Sequence, residues 1–355
     1  MPDGALRSLE KRLTTPTDRP FEPLADDALI AQLKKTFPGF KTRKTRHYLC
    51  VYNTTDSFCE TKSVILETMY PMLFSYFRRQ KLDVAKPEFP LVVVMFRTKK
   101  EFQAYREMPD GLLAYYNGVN NRVFMYQYSQ VSRDAPLIAA KQSTSTVAHE
   151  GVHQILHNIG VQKRLSSWPL WISEGIAEYF APTSSGRRSK WKGVGRPNEL
   201  RMRELFLNLQ KLPNVGDGSL IEAAITAKQF DSIDYAVSWS LVHYMLTKRR
   251  ADFIKYLRDV SQDQPLEAPR NEVTRFGQYF GYRLAKLEQE MLKHIRSLPY
   301  ADPVANQPYY LVTAISGKRK QATVTSSVEL RSVKVKMLLT FPLAARPTAV
   351  FGVRR

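Results

Sequence analysis

Two histidines and a glutamate stand at a spacing that suits metal chemistry. The motif His-Glu-x-x-His occupies residues 149–153, with its histidines at His149 and His153. Residues four apart in a helix lie on one face, so the two imidazoles can bind one zinc ion. Glu150, next to the first histidine, can then act as general base on a water at the metal. The motif predicts a hydrolytic zinc centre. Because the motif can also occur by chance, this prediction needs a third ligand elsewhere in the chain.

Glu174 is the best candidate for that third ligand. Catalytic zinc usually has three protein ligands and one open position. The 20 residues between His153 and Glu174 leave room for a turn and a second helix that crosses the first. A metzincin would need a third histidine six residues after His153, where this chain has Ile159. His157 is at the wrong spacing for that scheme.

The elements that must position these residues are helical. Ser143, Thr144 and Ser145 are good N-caps for the motif helix, and Gly160 suits its end. A second helix is predicted at 168–182, with a proline in its first turn and another at its end. Periodic apolar residues predict further helices at 198–212, 219–228, 235–248, 251–260 and 281–298.

A set of strands precedes the motif helix. Alternating or continuous apolar runs predict a β-α-β-α-β-β series, and the last strand directly precedes the motif helix. An edge strand there could hold a peptide substrate by main-chain pairing. The predicted fold class is α+β, with a small mixed β-sheet lobe followed by a mainly helical lobe that carries the motif helix. The predicted strands are 47–53, 90–97, 112–116 and 122–128, and the predicted helices are 56–80 and 99–108.

Residues 171–179 strengthen the assignment of Glu174. Their sequence, Trp-Ile-Ser-Glu-Gly-Ile-Ala-Glu-Tyr, resembles the second motif of gluzincin zinc metallopeptidases. More closely, the chain is similar to peptidase-MA-like families described as domains of unknown function, and residues 235–244 and the Phe276-Gly277 region share that likeness. The resemblance covers roughly residues 46–298. It implies a zincin-like fold and one zinc ion per chain, bound by His149, His153 and Glu174, with Glu150 as base and proton shuttle.

Four further side chains are candidates for supporting roles. Glu178, one helical turn after Glu174, could orient a histidine ligand, or it could be a solvated helix acid. His157 could support the metal site or be an ordinary hydrogen-bonded histidine. Tyr235 and His243 are candidates for stabilising an oxyanion, with packing in a helical core as the alternative reading of both.

The predicted function is hydrolysis of peptide bonds in a peptide or protein substrate. The chain lacks the Gly-x-Met-Glu-Asn motif with which aminopeptidases of the gluzincin class bind a free N-terminus, so an endopeptidase is the better prediction. The alternative function is a catalytically weak or inactive relative that serves as a basic binding module. Experimentally, metal content and peptide cleavage separate the two.

The charge of the chain supports that alternative. The formal net charge is +20, which favours anionic partners such as nucleic acid or other polyanions. Basic residues concentrate at 43–46, 187–196 and 318–320, where solvated loops are the simpler interpretation. No recognised nucleic-acid motif is present.

The remaining expectations concern organisation and compartment. Residues 1–45 are predicted to be a basic N-terminal extension, 46–298 the catalytic domain (sheet lobe 46–130, helical lobe 140–298), and 299–355 a β-rich C-terminal appendage. No transmembrane run or signal peptide is visible, so the protein is expected to be cytoplasmic or a trimmed secreted form. Cys50 and Cys59 are the only cysteines, and two buried free thiols are expected.

Overall fold

A computed structural model describes most of the chain. It covers residues 22–128, 136–183, 190–212 and 214–303, together with the backbone of 309–316, 319–326 and 351–353. Within these residues the fold is α+β, with a small mixed sheet and a mainly helical part. This confirms the predicted α+β class with a small mixed sheet and a mainly helical part, while the zincin-like fold stays a prediction.

The main sheet has five strands in the order β1-β2-β3-β5-β4. Strands β2, β3 and β5 are parallel, whereas β1 and β4 pair antiparallel with their neighbours at the two edges. The strand that ends the sheet next to the motif helix is therefore β4, and β5 lies inside the sheet. The strands are β1 (Lys41–Lys44), β2 (Tyr48–Tyr52), β3 (Leu91–Thr98), β4 (Ala114–Asn117) and β5 (Arg122–Tyr128).

Both faces of this sheet are covered, because side chains alternate along each strand. In β2, Leu49 and Val51 join one apolar cluster while Tyr48 and Cys50 join the other. Helices α1 and α3 contribute to the smaller cluster, and α2 and α4 contribute to the larger one. These four helices are α1 (Asp26–Thr36), α2 (Asp56–Arg79), α3 (Lys99–Tyr105) and α4 (Pro136–Asn158).

Residues 26–44, predicted to be part of an N-terminal extension, supply a helix and an edge strand to this sheet. Leu33 and Phe37 are buried in the smaller cluster. The basic run on β1 is exposed, as expected, but it is not unpaired. Carboxylates of α1 and α2 meet its side chains in three ion pairs, Lys41–Asp56, Arg43–Glu60 and Lys44–Asp26.

The helical part surrounds one buried helix, α8. Its residues from 236 to 246 are buried, and it packs against α5, α6, α7, α9 and α11. The predicted helix at 281–298 is in fact shorter, and α10 precedes it. The chain turns at Gly281, which has a φ of +86°, and this left-handed conformation ends α10. The helices are α5 (Leu170–Phe180), α6 (Glu199–Leu209), α7 (Ser219–Thr226), α8 (Ser232–Lys248), α9 (Arg250–Val260), α10 (Glu272–Phe280) and α11 (Leu284–Arg296).

Close packing of α5 against α8 fixes the position of Glu174. A Cβ atom at the neighbouring Gly175 would lie 2.6 Å from both the carbonyl oxygen of Ser238 and a methyl carbon of Val242. Only glycine allows the two helices to approach this closely. A larger residue at this position would push α5, and with it Glu174, away from its present place.

A separate three-stranded sheet lies within the predicted β-rich C-terminal segment. Its order is β7-β6-β8, with β6 (Tyr309–Ser316) antiparallel to β7 (Arg319–Ser326) and parallel to β8 (Phe351–Val353). The other residues of the chain after 303 fall outside the described residues, as do residues 1–21. The domain boundaries stay predictions. Among the helices that are described, none has the length and apolarity needed to cross a bilayer.

Candidate metal centre

Helix α4 presents the two motif histidines side by side. Val152 and Ile155 on one side of the helix, and Ile159 directly after its end, are fully buried in the larger cluster. This anchors the helix and leaves His149 and His153 one turn apart on its flank. Their Nε2 atoms lie 3.1 Å apart, and each residue keeps only a small exposed fraction.

Helix α5 brings Glu174 to the same point. Its Oε2 atom lies 3.0 Å from Nε2 of His149 and 3.4 Å from Nε2 of His153. Two ring nitrogens and one carboxylate oxygen therefore face one another. Among the described residues, these three form the group of histidine, cysteine and carboxylate side chains whose spacing suits a metal ion.

The chemistry of this donor set fits zinc. Ligand atoms about 2.0–2.1 Å from a tetrahedral zinc ion are roughly 3.3–3.5 Å from each other. The three separations found here, 3.1, 3.0 and 3.4 Å, lie close to that range. Two imidazoles and one carboxylate also match the ligand set of catalytic zinc, which leaves one coordination position for a reactant.

The electrostatics favour a carboxylate anion at Glu174. Burial raises the pKa of this glutamate, but His153 and His149 outweigh burial and leave the pKa far below its usual value. At His149, burial lowers the pKa, while Glu178 and Glu174 outweigh it and raise the pKa well above its usual value. The pocket thus concentrates negative charge around the imidazoles, which is the field that a bound cation requires.

Glu150 lies beside the ligands and is tied to the edge of the sheet. The backbone N–H of Tyr116 in β4 donates a 2.7 Å hydrogen bond to its Oε2 atom. Burial raises the pKa of Glu150, with the two neighbouring histidines opposing that shift. The edge strand therefore holds the carboxylate in one orientation next to the histidines.

Glu178 contacts His149 on the side of its ring that faces away from Glu174. Its Oε1 atom lies 3.0 Å from Nδ1 of His149, the ring nitrogen that faces away from Glu174. A proton held on Nδ1 leaves the Nε2 lone pair free to bind a metal. Glu178 is only 4% exposed, so it is not the solvated helix acid that was the alternative prediction.

Two residues near the start of α6 hold Glu178 in turn. Arg201 donates from Nη2 to Oε1 of Glu178 at 2.7 Å, and Asn198 donates from Nδ2 to Oε2 at 2.8 Å. Burial raises the pKa of Glu178, but Arg201 and then His149 outweigh it, so the pKa lies far below its usual value. Sequence reasoning missed both residues, because no local pattern connects them with a glutamate 20 or more positions earlier.

Tyr235, near the start of α8, is one of the residues that line the cleft. Its ring centroid lies 6.2 Å from that of His149, and the guanidinium of Arg201 lies 4.9 Å above its face. Burial, followed by Glu174 and Glu150, raises the pKa of its phenol above the usual value. The hydroxyl therefore stays protonated and can donate a hydrogen bond.

The other two candidate histidines are placed differently. His157 stacks on Tyr116 with ring centroids 5.2 Å apart, and burial lowers its pKa to about 3. His243 accepts or donates a 2.9 Å hydrogen bond with His294 and packs against Tyr179. Neither histidine is among the residues that line the cleft.

The cleft in front of His149 and Glu150 has a volume of about 450 Å³. One wall is the chain that leads into β4, and the opposite walls come from α4, α6 and the start of α8. The edge strand expected next to the motif helix is thus β4, whereas the sequence pattern pointed to β5. The remaining lining residues include Gly111, Leu112, Leu113, Ala114, Ser145, Thr146, Leu200, Arg203, Glu204 and Ser232.

One family model matches this chain. Residues 143–267 match a family described as a protein of unknown function (DUF1570). The match covers less than half of the chain, but it includes the His-Glu-x-x-His motif, Glu174, Glu178, Arg201 and Tyr235. No curated protein matches the sequence.

Proposed function

We propose that this chain is a zinc-dependent peptidase. The observation that carries the proposal is the convergence of Nε2 of His149, Nε2 of His153 and Oε2 of Glu174 within 3.4 Å of one another, with Glu150 beside them on the wall of a cleft. The resemblance of residues 149–153 and 171–179 to gluzincins supports the same function. One zinc ion per chain is expected.

When bound, zinc would supply a Lewis acid that polarises a substrate carbonyl and makes a water more acidic. The protein residues do the rest. Glu150 accepts the proton of the attacking water and later delivers it to the amine that leaves. Its hydrogen bond from the N–H of Tyr116 keeps the carboxylate aimed at the cleft during both transfers.

Tyr235 and Glu178 complete the proposed site. The Tyr235 hydroxyl is the proposed donor to the oxygen that becomes negative when the carbonyl is attacked, because it is protonated and lines the cleft. Glu178 keeps His149 in the tautomer that binds metal. His243 has no part in this proposal, because it lies among other buried rings.

An endopeptidase is the better proposal than an aminopeptidase. The chain carries no Gly-x-Met-Glu-Asn motif. The cleft also lies at the start of the edge strand β4, where residues 111–114 line it. An extended peptide could pair with such an edge on both sides of the bond to be cut.

The decisive experiment compares the wild type with Glu150→Gln in cleavage of a peptide library, with the zinc content of both measured. Glutamine keeps the shape of the side chain but cannot accept the proton, so kcat/KM should fall by about 10²–10⁴-fold. Zinc should stay at one ion per chain. Glu222→Gln on α7, an exposed glutamate, is the matched control and should keep full activity.

Two results would contradict the proposal. One is zinc-loaded wild type that cleaves no peptide of the library. The other is Glu150→Gln that retains wild-type kcat/KM. The first result, together with tight and salt-sensitive binding of a polyanion, would favour the alternative function of a basic binding module.

A further inference from the structure

A group of cationic side chains lies where α2 ends and α9 passes it. All six members are exposed, and four of them are arginines. We call this group the α2–α9 basic patch. Its members are Arg78, Arg79, Lys81, Lys86, Arg250 and Arg258.

Two contacts place Arg250 and Arg258 of α9 beside the end of α2. Arg258 donates from Nη2 to the carbonyl oxygen of Gln80 at 2.6 Å. The guanidinium carbon of Arg250 lies 5.7 Å from the ring centroid of Tyr76. Both contacts reach from α9 to the last turns of α2, so the two helices present their cations together.

The segment after α2 folds back onto Phe74, which lies on another side of α2 from Tyr76, so the cations surround the end of this helix. Arg78 and Lys86 lie 5.8 Å and 5.9 Å from the ring centroid of Phe74, which both of them contact. Residues 78–86 contain one acidic residue, Asp83. The positive charge of the segment is therefore concentrated rather than balanced locally.

The patch differs from β1, which is another basic surface of the described residues. On β1, Lys41, Arg43 and Lys44 each have a carboxylate partner. No ion pair with a described residue involves any of the six patch cations. Other cations between 249 and 275, namely Arg249, Arg270 and Arg275, do form such pairs. The patch thus offers six charges to a partner without breaking internal ion pairs.

We propose that the α2–α9 basic patch binds the phosphate backbone of a nucleic acid. A nucleic acid carries closely spaced negative charges, and neutralising several of them at once releases counterions. Guanidinium groups match phosphate oxygens in a two-pronged geometry, which suits a patch with four arginines. This binding surface is independent of the proposed peptidase site.

The exposed side chains argue against a membrane as the partner. Basic surfaces that bind a bilayer usually add apolar side chains that enter it. Within 78–86 and 250–258, no large apolar side chain is among the exposed ones. The rings of Phe74 and Tyr76 are already covered by patch cations. Contact with phosphates from outside, without insertion, is what this surface allows.

The test compares two triple variants of the full chain. Arg79→Gln, Lys81→Gln and Lys86→Gln are combined in the patch variant, and Lys41→Gln, Arg43→Gln and Lys44→Gln are combined in the control. Both variants lose one arginine and two lysines, so their net charges are equal. Binding of labelled single-stranded and duplex DNA is measured by fluorescence anisotropy over a range of KCl concentrations.

The patch variant should bind DNA at least about tenfold more weakly than the wild type, and the slope of log K against log salt should decrease in magnitude by about 2–3. The control variant should change affinity by less than about threefold, because its cations are already paired. Circular dichroism melts establish that both variants fold.

Equal losses in the two variants would overturn the proposal, since net charge alone would then explain binding. Binding of anionic vesicles or polyglutamate, but not DNA, through the patch would overturn the nucleic-acid assignment. If the folded wild type bound no DNA, the nucleic-acid assignment would also be wrong. All three outcomes leave peptide hydrolysis unaffected.

Discussion

Two pairs of histidines are buried in the helical part of the molecule, and they differ in their surroundings. His149 and His153 lie 3.1 Å apart on one helix, and His243 and His294 lie 2.9 Å apart on two helices. The first pair faces two carboxylates, and His149 lines the cleft. The second pair is surrounded by the rings of tyrosine and tryptophan side chains.

The pKa values show what this difference does. The carboxylates raise the pKa of His149 well above its usual value in spite of burial. At His243, burial and the neighbouring histidine lower the pKa to about 4. Proximity of two imidazoles is therefore not enough for a cation site. Carboxylates beside the rings and access from a cleft make the first pair a candidate metal centre. Among the described residues, no carboxylate forms an ion pair with His243 or His294, and the second pair is a packing contact.

The largest expected effect concerns zinc affinity. His153→Ala removes one of three protein ligands, so zinc affinity should fall by at least about 10³-fold. His294→Ala is the matched control in the other pair and should leave zinc affinity within about threefold of wild type. Competition with a chromogenic chelator measures both. If His153→Ala still bound zinc stoichiometrically at wild-type affinity, the ligand assignment would be wrong.

A smaller effect is expected from the carboxylate behind His149. Glu178→Gln keeps the size of the side chain but removes the charge that faces Nδ1, so zinc affinity should fall by about 10–100-fold. Glu204→Gln, in the same cleft wall but without contact to a histidine, is the control. Equal effects of Glu178→Gln and Glu204→Gln on zinc affinity would show that the carboxylate beside Nδ1 does not explain the difference between the two histidine pairs.

An effect of a different kind, on stability rather than on zinc affinity, is a pH dependence that belongs to the second pair. The pKa of His243 in the folded state is about 4, below the usual value near 6.5, so the unfolded chain binds more protons between these pH values. Acidification from pH 6.5 to 4 should therefore destabilise the wild type by on the order of 2 kcal/mol through this group. The His294 pKa is also lowered and acts in the same direction.

This pH effect is measured as a difference in urea unfolding of metal-free protein. The double variant His243→Gln and His294→Gln lacks both titrating groups, so its free energy of unfolding should fall less steeply with acidification than that of wild type. Parallel pH profiles for the two proteins would show that the second pair does not titrate as its burial predicts.

The local pattern of the sequence was enough to predict part of the candidate site. His149, Glu150 and His153 share one helix, and their relative positions follow from 3.6 residues per turn. Glu174 followed from its distance along the chain and from the resemblance of residues 171–179 to a known motif. The structure brings these residues together as predicted, while zinc binding and catalysis stay predictions.

Other features depended on contacts that no local pattern encodes. Tyr235 and His243 lie on the same helix, two turns apart, yet Tyr235 lines the cleft and His243 packs against α11. From the sequence, both residues were equal candidates for stabilising an oxyanion. The two residues are about 12 Å apart along α8, so the position of this helix along the cleft decides that Tyr235 reaches it and His243 does not.

The sequence by itself determined the spacing of the ligands on their helices and the basic charge of the chain. Only the tertiary structure decided that β4 borders the cleft, that Arg201 holds Glu178, and that the cations of β1 are paired whereas those of the α2–α9 basic patch are not. The physical reason is the range of the interactions. Helical periodicity acts over a few residues, but strand order and ion pairs between helices join residues far apart in the chain.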